Sequence, residues 1–157
     1  IAIATMQKKK FGKLDFKKFH PSGSLGNKLK TVGDLMTTKD KIPFINENFN
    51  VEKAIEIINL KKLGAVITRD KKNNTTGILT DGDIKRLLNK FNNIKMIQIK
   101  DIIKKTPISV ERDLLAVKAL KIMNDKKITS LCVHSKSKKN KTVGLIHIHN
   151  ILDANIQ

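Results

Sequence analysis

Thr80 and Asp83 stand three residues apart in the run Gly77-Ile78-Leu79-Thr80-Asp81-Gly82-Asp83-Ile84. If Thr80 ends a strand and Asp83 lies at a helix start, a ligand phosphate can meet the Thr80 hydroxyl and the free N–H groups of the helix. The Asp83 carboxylate can then take both hydroxyls of a ribose, and the small or apolar residues Ile42, Pro43, Ala65 and Val66 can sandwich a base. A plainer reading is that Asp83 caps its helix and Thr80 closes its strand. Residue types alone leave both readings open. Sixty-seven positions after Thr80 stands His147, and Asn150 takes the place of the aspartate. An amide holds a pair of ribose hydroxyls less well than a carboxylate, so this second group is the weaker candidate. His147 and His149, read as alternating along a strand, share one face and could line a ligand cleft. No third ligand is identified beside them, and no metal site is expected. His20, ahead of Pro21, has the near-neutral pKa that lets an imidazole shuttle protons, or it simply precedes a turn. The single Cys132, in Ser130-Leu131-Cys132-Val133, reads as a buried strand residue; alone it forms no internal disulfide, in keeping with a reducing cytoplasm.

These groups need strands and helices to hold them, and the chain supplies the elements twice. Val32-Gly33-Asp34-Leu35-Met36 is similar to Ile99-Lys100-Asp101-Ile102-Ile103, and Ile42-Pro43-Phe44-Ile45 to Thr106-Pro107-Ile108-Ser109-Val110. Further on, Ala54–Asn59 matches Ala119–Asn124, Lys61–Val66 matches Lys126–Leu131, and Gly77–Thr80 matches Gly144–His147. Within each copy an extended piece follows a proline turn. An amphipathic helix comes next, with Val51, Ala54, Ile55 and Ile58, or Leu115, Ala119, Ile122 and Met123, at helical spacing. Asn50 and Asp113 are the expected N-caps. Two strands then form a hairpin, Ala65–Thr68 with Gly77–Thr80 and Leu131–His134 with Gly144–Ile148, followed by helices over Asp83–Asn89 and Asn150–Ala154. Each half is therefore β-α-β-β-α. Neither is large enough to stand alone, so the two must bury their sheets together.

Composition bounds the rest. The 157 residues carry a formal charge of +18, yet only three of the 32 basic residues are arginines (Arg69, Arg86, Arg112), and Trp and Tyr are absent. Lysine lacks the planar fork suited to phosphates and base edges, and single strands want stacking platforms, so no nucleic-acid partner is expected. No run approaches the roughly 18 apolar residues of a membrane span, so no membrane partner is expected either. Ile1–Met6 lacks the basic lead of a secretory signal and reads as the last turns of a helix that begins upstream.

The β-α-β-β-α order ending in Gly-Ile-Leu-Thr-Asp-Gly-Asp resembles a CBS repeat, and the tandem, over about residues 31 to 157, resembles a Bateman module. Ahead of it, Phe11-Gly12 and His20-Pro21-Ser22-Gly23-Ser24-Leu25-Gly26, then Leu29 and Val32-Gly33-Asp34-Leu35-Met36, resemble the junction of the KpsF/GutQ family of D-arabinose 5-phosphate isomerases. The resemblance implies an α/β (α+β) tandem CBS pair with pseudo-two-fold symmetry: residues 1–30 end a sugar isomerase (SIS) domain and its linker, 31–92 form CBS repeat 1 and 93–157 CBS repeat 2. It implies a cytoplasmic enzyme interconverting D-ribulose 5-phosphate and D-arabinose 5-phosphate for Kdo and lipopolysaccharide synthesis, with His20 catalytic and no catalytic cofactor. It implies a nucleotide or CMP-Kdo effector held by Ile42, Pro43, Ala65, Val66, Thr80, Asp81 and Asp83 in one cleft. The other cleft draws on Thr106, Pro107, Thr129, Ser130, His147, His149 and Asn150. It also implies a homo-oligomer, a dimer of CBS pairs within a tetrameric enzyme. A serine- and glycine-rich phosphate loop is missing from these 157 residues, so the chain by itself is expected to be inactive.

Overall fold

The computed structural model describes residues 24–103 and 106–157. The elements follow in order: α1 (Ser24–Lys28), α2 (Val32–Leu35), a 3-10 turn (Lys39–Lys41), β1 (Phe44–Asn46), α3 (Val51–Lys61), β2 (Ala65–Arg69), β3 (Thr75–Thr80) and α4 (Asp81–Lys90). The second copy gives α5 (Ile99–Ile102), β4 (Ser109–Glu111), α6 (Ala116–Lys126), β5 (Ser130–Ser135), β6 (Lys138–His147) and α7 (Ile148–Leu152).

Local chemistry accounts for the helix bounds. Asn50 starts α3, its side-chain oxygen accepting the Lys53 N–H at 3.1 Å, and Val51, Ala54 and Ile58 form the buried stripe. α6 buries Ala116, Ala119, Leu120 and Met123, but it starts after Leu115; Asp113 lies two residues too early to cap it. Both helices end on a lysine in the left-handed region, Lys62 (φ 56) and Lys127 (φ 57).

Each half folds into a three-stranded sheet of the same topology, β1-β2-β3 and β4-β5-β6, with the first pair parallel and the second antiparallel. The register pairs Phe44 with Ile67 and Ala65 with Thr80; in the second sheet it pairs Ser109 with Cys132 and Ser130 with His147. Phe44 therefore corresponds to Ser109, and Pro107 is the counterpart of Ile42 rather than of Pro43. The sequence match of the two prolines is one residue out of step: Pro43 directly precedes β1, whereas Ile108 stands between Pro107 and β4.

The lead helices are exchanged between the halves. Val32 N–H donates to the Leu114 carbonyl (2.8 Å) and Gly33 N–H to that of Arg112 (2.7 Å), so α2 lies on the second half. Val32 is buried there with Val110, Met123, Leu131 and Ile146. Reciprocally, Ile99 N–H donates to the Phe49 carbonyl and Lys100 N–H to that of Glu47, both at 2.9 Å. Ile99 is buried among Ile45, Val51, Ala54 and Val66 of the first half. Each repeat thus lends the helix that completes the other's core.

A third apolar cluster, Ile42 and Ile67 with Cys132 and Leu145, joins the two halves. Burial there pushes the Cys132 thiol up to about 12, against a smaller opposing effect of its hydrogen bond with Thr142, so the thiolate does not form near neutrality. Close approach also needs two glycines. A Cβ at Gly77 would overlap Ile103, and one at Gly144 would overlap Met36, the residue equivalent to Ile103.

Candidate functional site

The strand order brings the first group of sequence-predicted residues to one sheet end. Pro43 leads into β1, Ala65 opens β2 beside Thr80, and Thr80 closes β3 against the start of α4. The Pro43 carbonyl accepts the Ile67 N–H at 2.8 Å, and the Gly64 carbonyl accepts the Asp81 N–H at 3.0 Å. Gly64 takes φ +65, which lets the chain turn from α3 into β2 at this edge. Asp81 is exposed, while Thr80 and Asp83 are half-buried.

Thr80 is the N-cap of α4 and Asp83 is its third residue. The Asp83 carboxylate accepts the Thr80 N–H (2.9 Å) and the Thr80 hydroxyl (2.8 Å), and that hydroxyl in turn accepts the Asp83 N–H (3.3 Å). The other carboxylate oxygen accepts from the Arg86 guanidinium at 2.5 Å. Partial burial pushes the Asp83 carboxyl up, but the bonds from Thr80 and the charge and hydrogen bond of Arg86 together outweigh it and hold it below the ordinary aspartate value. Both oxygens are therefore engaged, and a ribose would have to displace Arg86 from one of them. Residue types alone did not single out Arg86, although its spacing from Asp83, one helical turn, was there to be read.

The equivalent end of the second sheet holds the other predicted group. Ser130 pairs with His147, and the Thr129 carbonyl accepts the Ile148 N–H at 2.8 Å, as Gly64 does for Asp81. Thr106 and Thr129 are exposed, and Pro107 is half-buried. β6 ends at His147 and α7 begins at Ile148, so His149 lies in a helix and not, as the sequence suggests, along the strand. The two imidazoles still meet, stacked with centroids 5.0 Å apart. His147 acts as N-cap: its Nδ1 accepts the His149 N–H (3.2 Å), and its own N–H donates to the Asn150 side-chain oxygen (2.9 Å). Desolvation, with a smaller push from His149, lowers the His147 pKa. The amide of Asn150 does here what the carboxylate of Asp83 does in the first half.

The residues expected to sandwich a base are all buried. Ile42, Ala65 and Val66 are 6%, 1% and 0% exposed, and Pro43 is buried too. Ile42 packs into the cluster between the halves and Val66 into the first core. Two grooves open at other places. A groove of about 440 Å³ runs along Ser109, Glu111, Asp113, His134, Lys136 and Lys139, and one of about 320 Å³ along Asn46, Asn48 and Phe49. These grooves are equivalent places in the two repeats, at the strand ends opposite Thr80 and His147. His20 falls outside the described residues. Among the described residues no three His, Cys, Asp or Glu side chains gather into a metal site, and no helix is long and apolar enough to cross a membrane.

Comparison with known proteins gives this geometry a setting. The CBS domain family matches the chain twice, over residues 32–90 and 99–156. Across 157 residues, 99% of the chain, it is 33% identical to the uncharacterized protein RP505 of Rickettsia prowazekii, covering 48% of that protein. It is 32% identical over the same span to the arabinose 5-phosphate isomerase KdsD of Salmonella typhi, covering 47% of it. The chain thus spans about half the length of the curated relatives it matches. Among solved structures, CBSX2 in complex with AMP, a CBS-pair protein of Arabidopsis thaliana, matches with a TM-score of 0.69 at 22% identity, over 80% of this chain and 96% of that one. At that identity the likeness establishes the fold.

Proposed function

As the chain belongs to the CBS domain family, in the paired arrangement found in KdsD arabinose 5-phosphate isomerases, we propose that it is the ligand-sensing region of an enzyme interconverting D-ribulose 5-phosphate and D-arabinose 5-phosphate. The observation that carries the reading is the match to such an enzyme, 32% identical over 99% of the chain, an alignment that takes in the stretch ahead of the repeats as well as the repeats. In this reading residues 1–30 end the isomerase domain and its linker, 31–92 and 93–157 are the two CBS repeats, and the enzyme is cytoplasmic and serves Kdo synthesis. His20 then takes part in moving the proton between C1 and C2 of the sugar, together with groups supplied by the isomerase domain.

The effector is a nucleotide or a nucleotide sugar such as CMP-Kdo, bound at the Thr80–Asp83 sheet end in preference to the His147–Asn150 end. A carboxylate at Asp83 suits a ribose diol, and Asn150 offers an amide instead. The ligand acts by binding one state of the whole enzyme more tightly than another. The closed state of Asp83, bound to Thr80 and Arg86, favours a second reading, in which the pair only holds subunits together. Calorimetric titration of the chain with AMP, ATP and CMP-Kdo separates the two. Heat with any of them, abolished by Asp83→Ala, supports sensing; no heat with all three leaves the oligomerisation role. Turnover of ribulose 5-phosphate by the 157-residue chain alone would refute the expectation that it is inactive without its isomerase domain.

A further inference from the structure

The hairpins β2–β3 and β5–β6 turn at the end of the molecule opposite Thr80 and His147, and there they lie side by side. Thr75 and Thr142 share a hydrogen bond between hydroxyls (2.7 Å), and the Asn140 side chain donates to that of Asn74 (2.8 Å). The first tip is set by Asp70, whose carboxylate accepts the N–H groups of Lys72 and Asn74 (both 2.8 Å) and the Asn74 amide (2.9 Å). These contacts gather Lys71 and Lys72 of one turn with Lys136, Lys138, Lys139 and Lys141 of the other. Five of the six are exposed and Lys141 is half-buried. Carboxylates answer few of these charges. Asp70 is engaged within its own turn, and Asp113 lies 3.5 Å from the Lys136 ammonium. Glu111 and Asp113 flank only the groove side of the tip.

We infer that this paired hairpin tip is a docking site for a flexible acidic segment of a partner protein. Its chemistry and shape select that occupant. Lys136 and Lys139 line the groove side of the tip while Lys71 and Lys72 belong to the other turn, so the charge surrounds a knob rather than covering a plane. A bilayer or a rigid duplex reaches one side of such a knob; a flexible chain of carboxylates can wrap it. Residues 70–74 and 135–142 include no apolar side chain to enter a membrane, and no aromatic or arginine on which single-stranded bases could stack. Lysine ammoniums act as point charges that make no demand on the geometry of the carboxylates they meet.

The test uses the whole chain and a fluorescent oligoglutamate peptide, with anisotropy read at low and at physiological ionic strength. A triple variant of the tip, Lys138→Ser, Lys139→Ser and Lys141→Ser, is compared with Lys85→Ser, Lys90→Ser and Lys126→Ser. The second set removes the same charge from exposed positions elsewhere. The tip variant should bind about tenfold more weakly, as expected for losing three exposed ion pairs, and the control should stay within about twofold of the parent. Equal weakening by both sets would mean that net charge alone attracts the peptide and would overturn the site. Tighter binding to phosphatidylglycerol vesicles, duplex DNA or oligo-dT than to the peptide under the same conditions would overturn the occupant. Circular dichroism of each variant checks that a loss of binding is not a loss of fold.

Discussion

Thr75 and Thr142 are the same position of the two repeats, and their hydroxyls are hydrogen bonded to each other at 2.7 Å. A repeat that meets its own copy in this way lies on the pseudo-two-fold axis of the pair. The bond is not symmetric in its consequences, because the Thr142 N–H also donates to the Thr75 hydroxyl at 3.2 Å. Thr75→Val therefore strands the Thr142 N–H and leaves the Thr142 hydroxyl with Cys132, whereas Thr142→Val strands the Thr75 hydroxyl and takes a partner from the buried Cys132 thiol. Urea denaturation should show each single variant costing about 1–2 kcal/mol. The double variant should cost less than the sum, since the second change removes a group already left without its partner.

The exchange of lead helices predicts where damage appears. Ile99 belongs to the second repeat in sequence and to the first core in space. Ile99→Ala should cost about 2–5 kcal/mol, as truncation of a fully buried isoleucine does. In hydrogen exchange the faster amides should be those of α3 and β2, not those of α6 and β5. Val32→Ala should do the converse, with a smaller loss. Losses confined to each residue's own repeat would rule out the exchange.

The limits of legibility in the sequence show in these same residues. The duplication could be read because turns, glycines and caps recur at a nearly constant offset, and Gly77 and Gly144 recur because each faces a side chain that a Cβ would strike. The cap at Thr80–Asp83 was legible only in part: the sequence suggests Asp83 as the cap, whereas Thr80 takes that place and Asp83 answers it from the third helical position. Which core receives Val32 or Ile99 was not, because apolar residues carry no address; only the backbone bonds to Leu114 and Phe49 specify it. Proline misled the alignment of the first strands, since Pro43 and Pro107 are alike in type but one register step apart. His149 was misread because alternation over three residues does not distinguish a strand end from a first helical turn.

Lys62 and Lys127 hold left-handed backbone at the ends of α3 and α6. A side chain there costs about 1 kcal/mol relative to glycine. Lys62→Gly and Lys127→Gly should each raise stability by about 0.5–1 kcal/mol, less whatever glycine returns to the unfolded chain in entropy. Thermal melts should rise for both, by similar amounts, because the two caps are equivalent.

Asp83→Ala removes the reciprocal partner of Thr80 and should cost about 1 kcal/mol at neutral pH. The folded state holds this carboxyl below its ordinary value, so its contribution is complete above the unfolded aspartate pKa and is lost as pH falls through the folded one. Urea curves for the parent and Asp83→Ala should therefore converge in acid. Asn150→Asp should have the opposite effect in the second half, adding about 0.5 kcal/mol at neutral pH by placing a carboxylate in the first turn of α7.

His147 should give the second half a pH dependence closer to neutrality than the one Asp83 gives the first. Its Nδ1 accepts the His149 N–H, which only an imidazole unprotonated at that nitrogen can do. Burial and the neighbouring His149 lower its pKa, so the folded state favours the neutral ring. The sign follows: this stabilisation is present above the ordinary histidine value of about 6.5 and is lost as pH falls through the lowered folded value. Protonation places a hydrogen between Nδ1 and the His149 N–H, breaks the cap of α7 and sets two stacked imidazoles against each other. His147→Thr supplies the hydroxyl cap used by Thr80 and removes the titration. Between about pH 7.5 and 5 the parent should lose stability faster than this variant, with faster hydrogen exchange in α7 and the end of β6. Parallel pH profiles for the two proteins would show that His147 caps α7 without sensing protons.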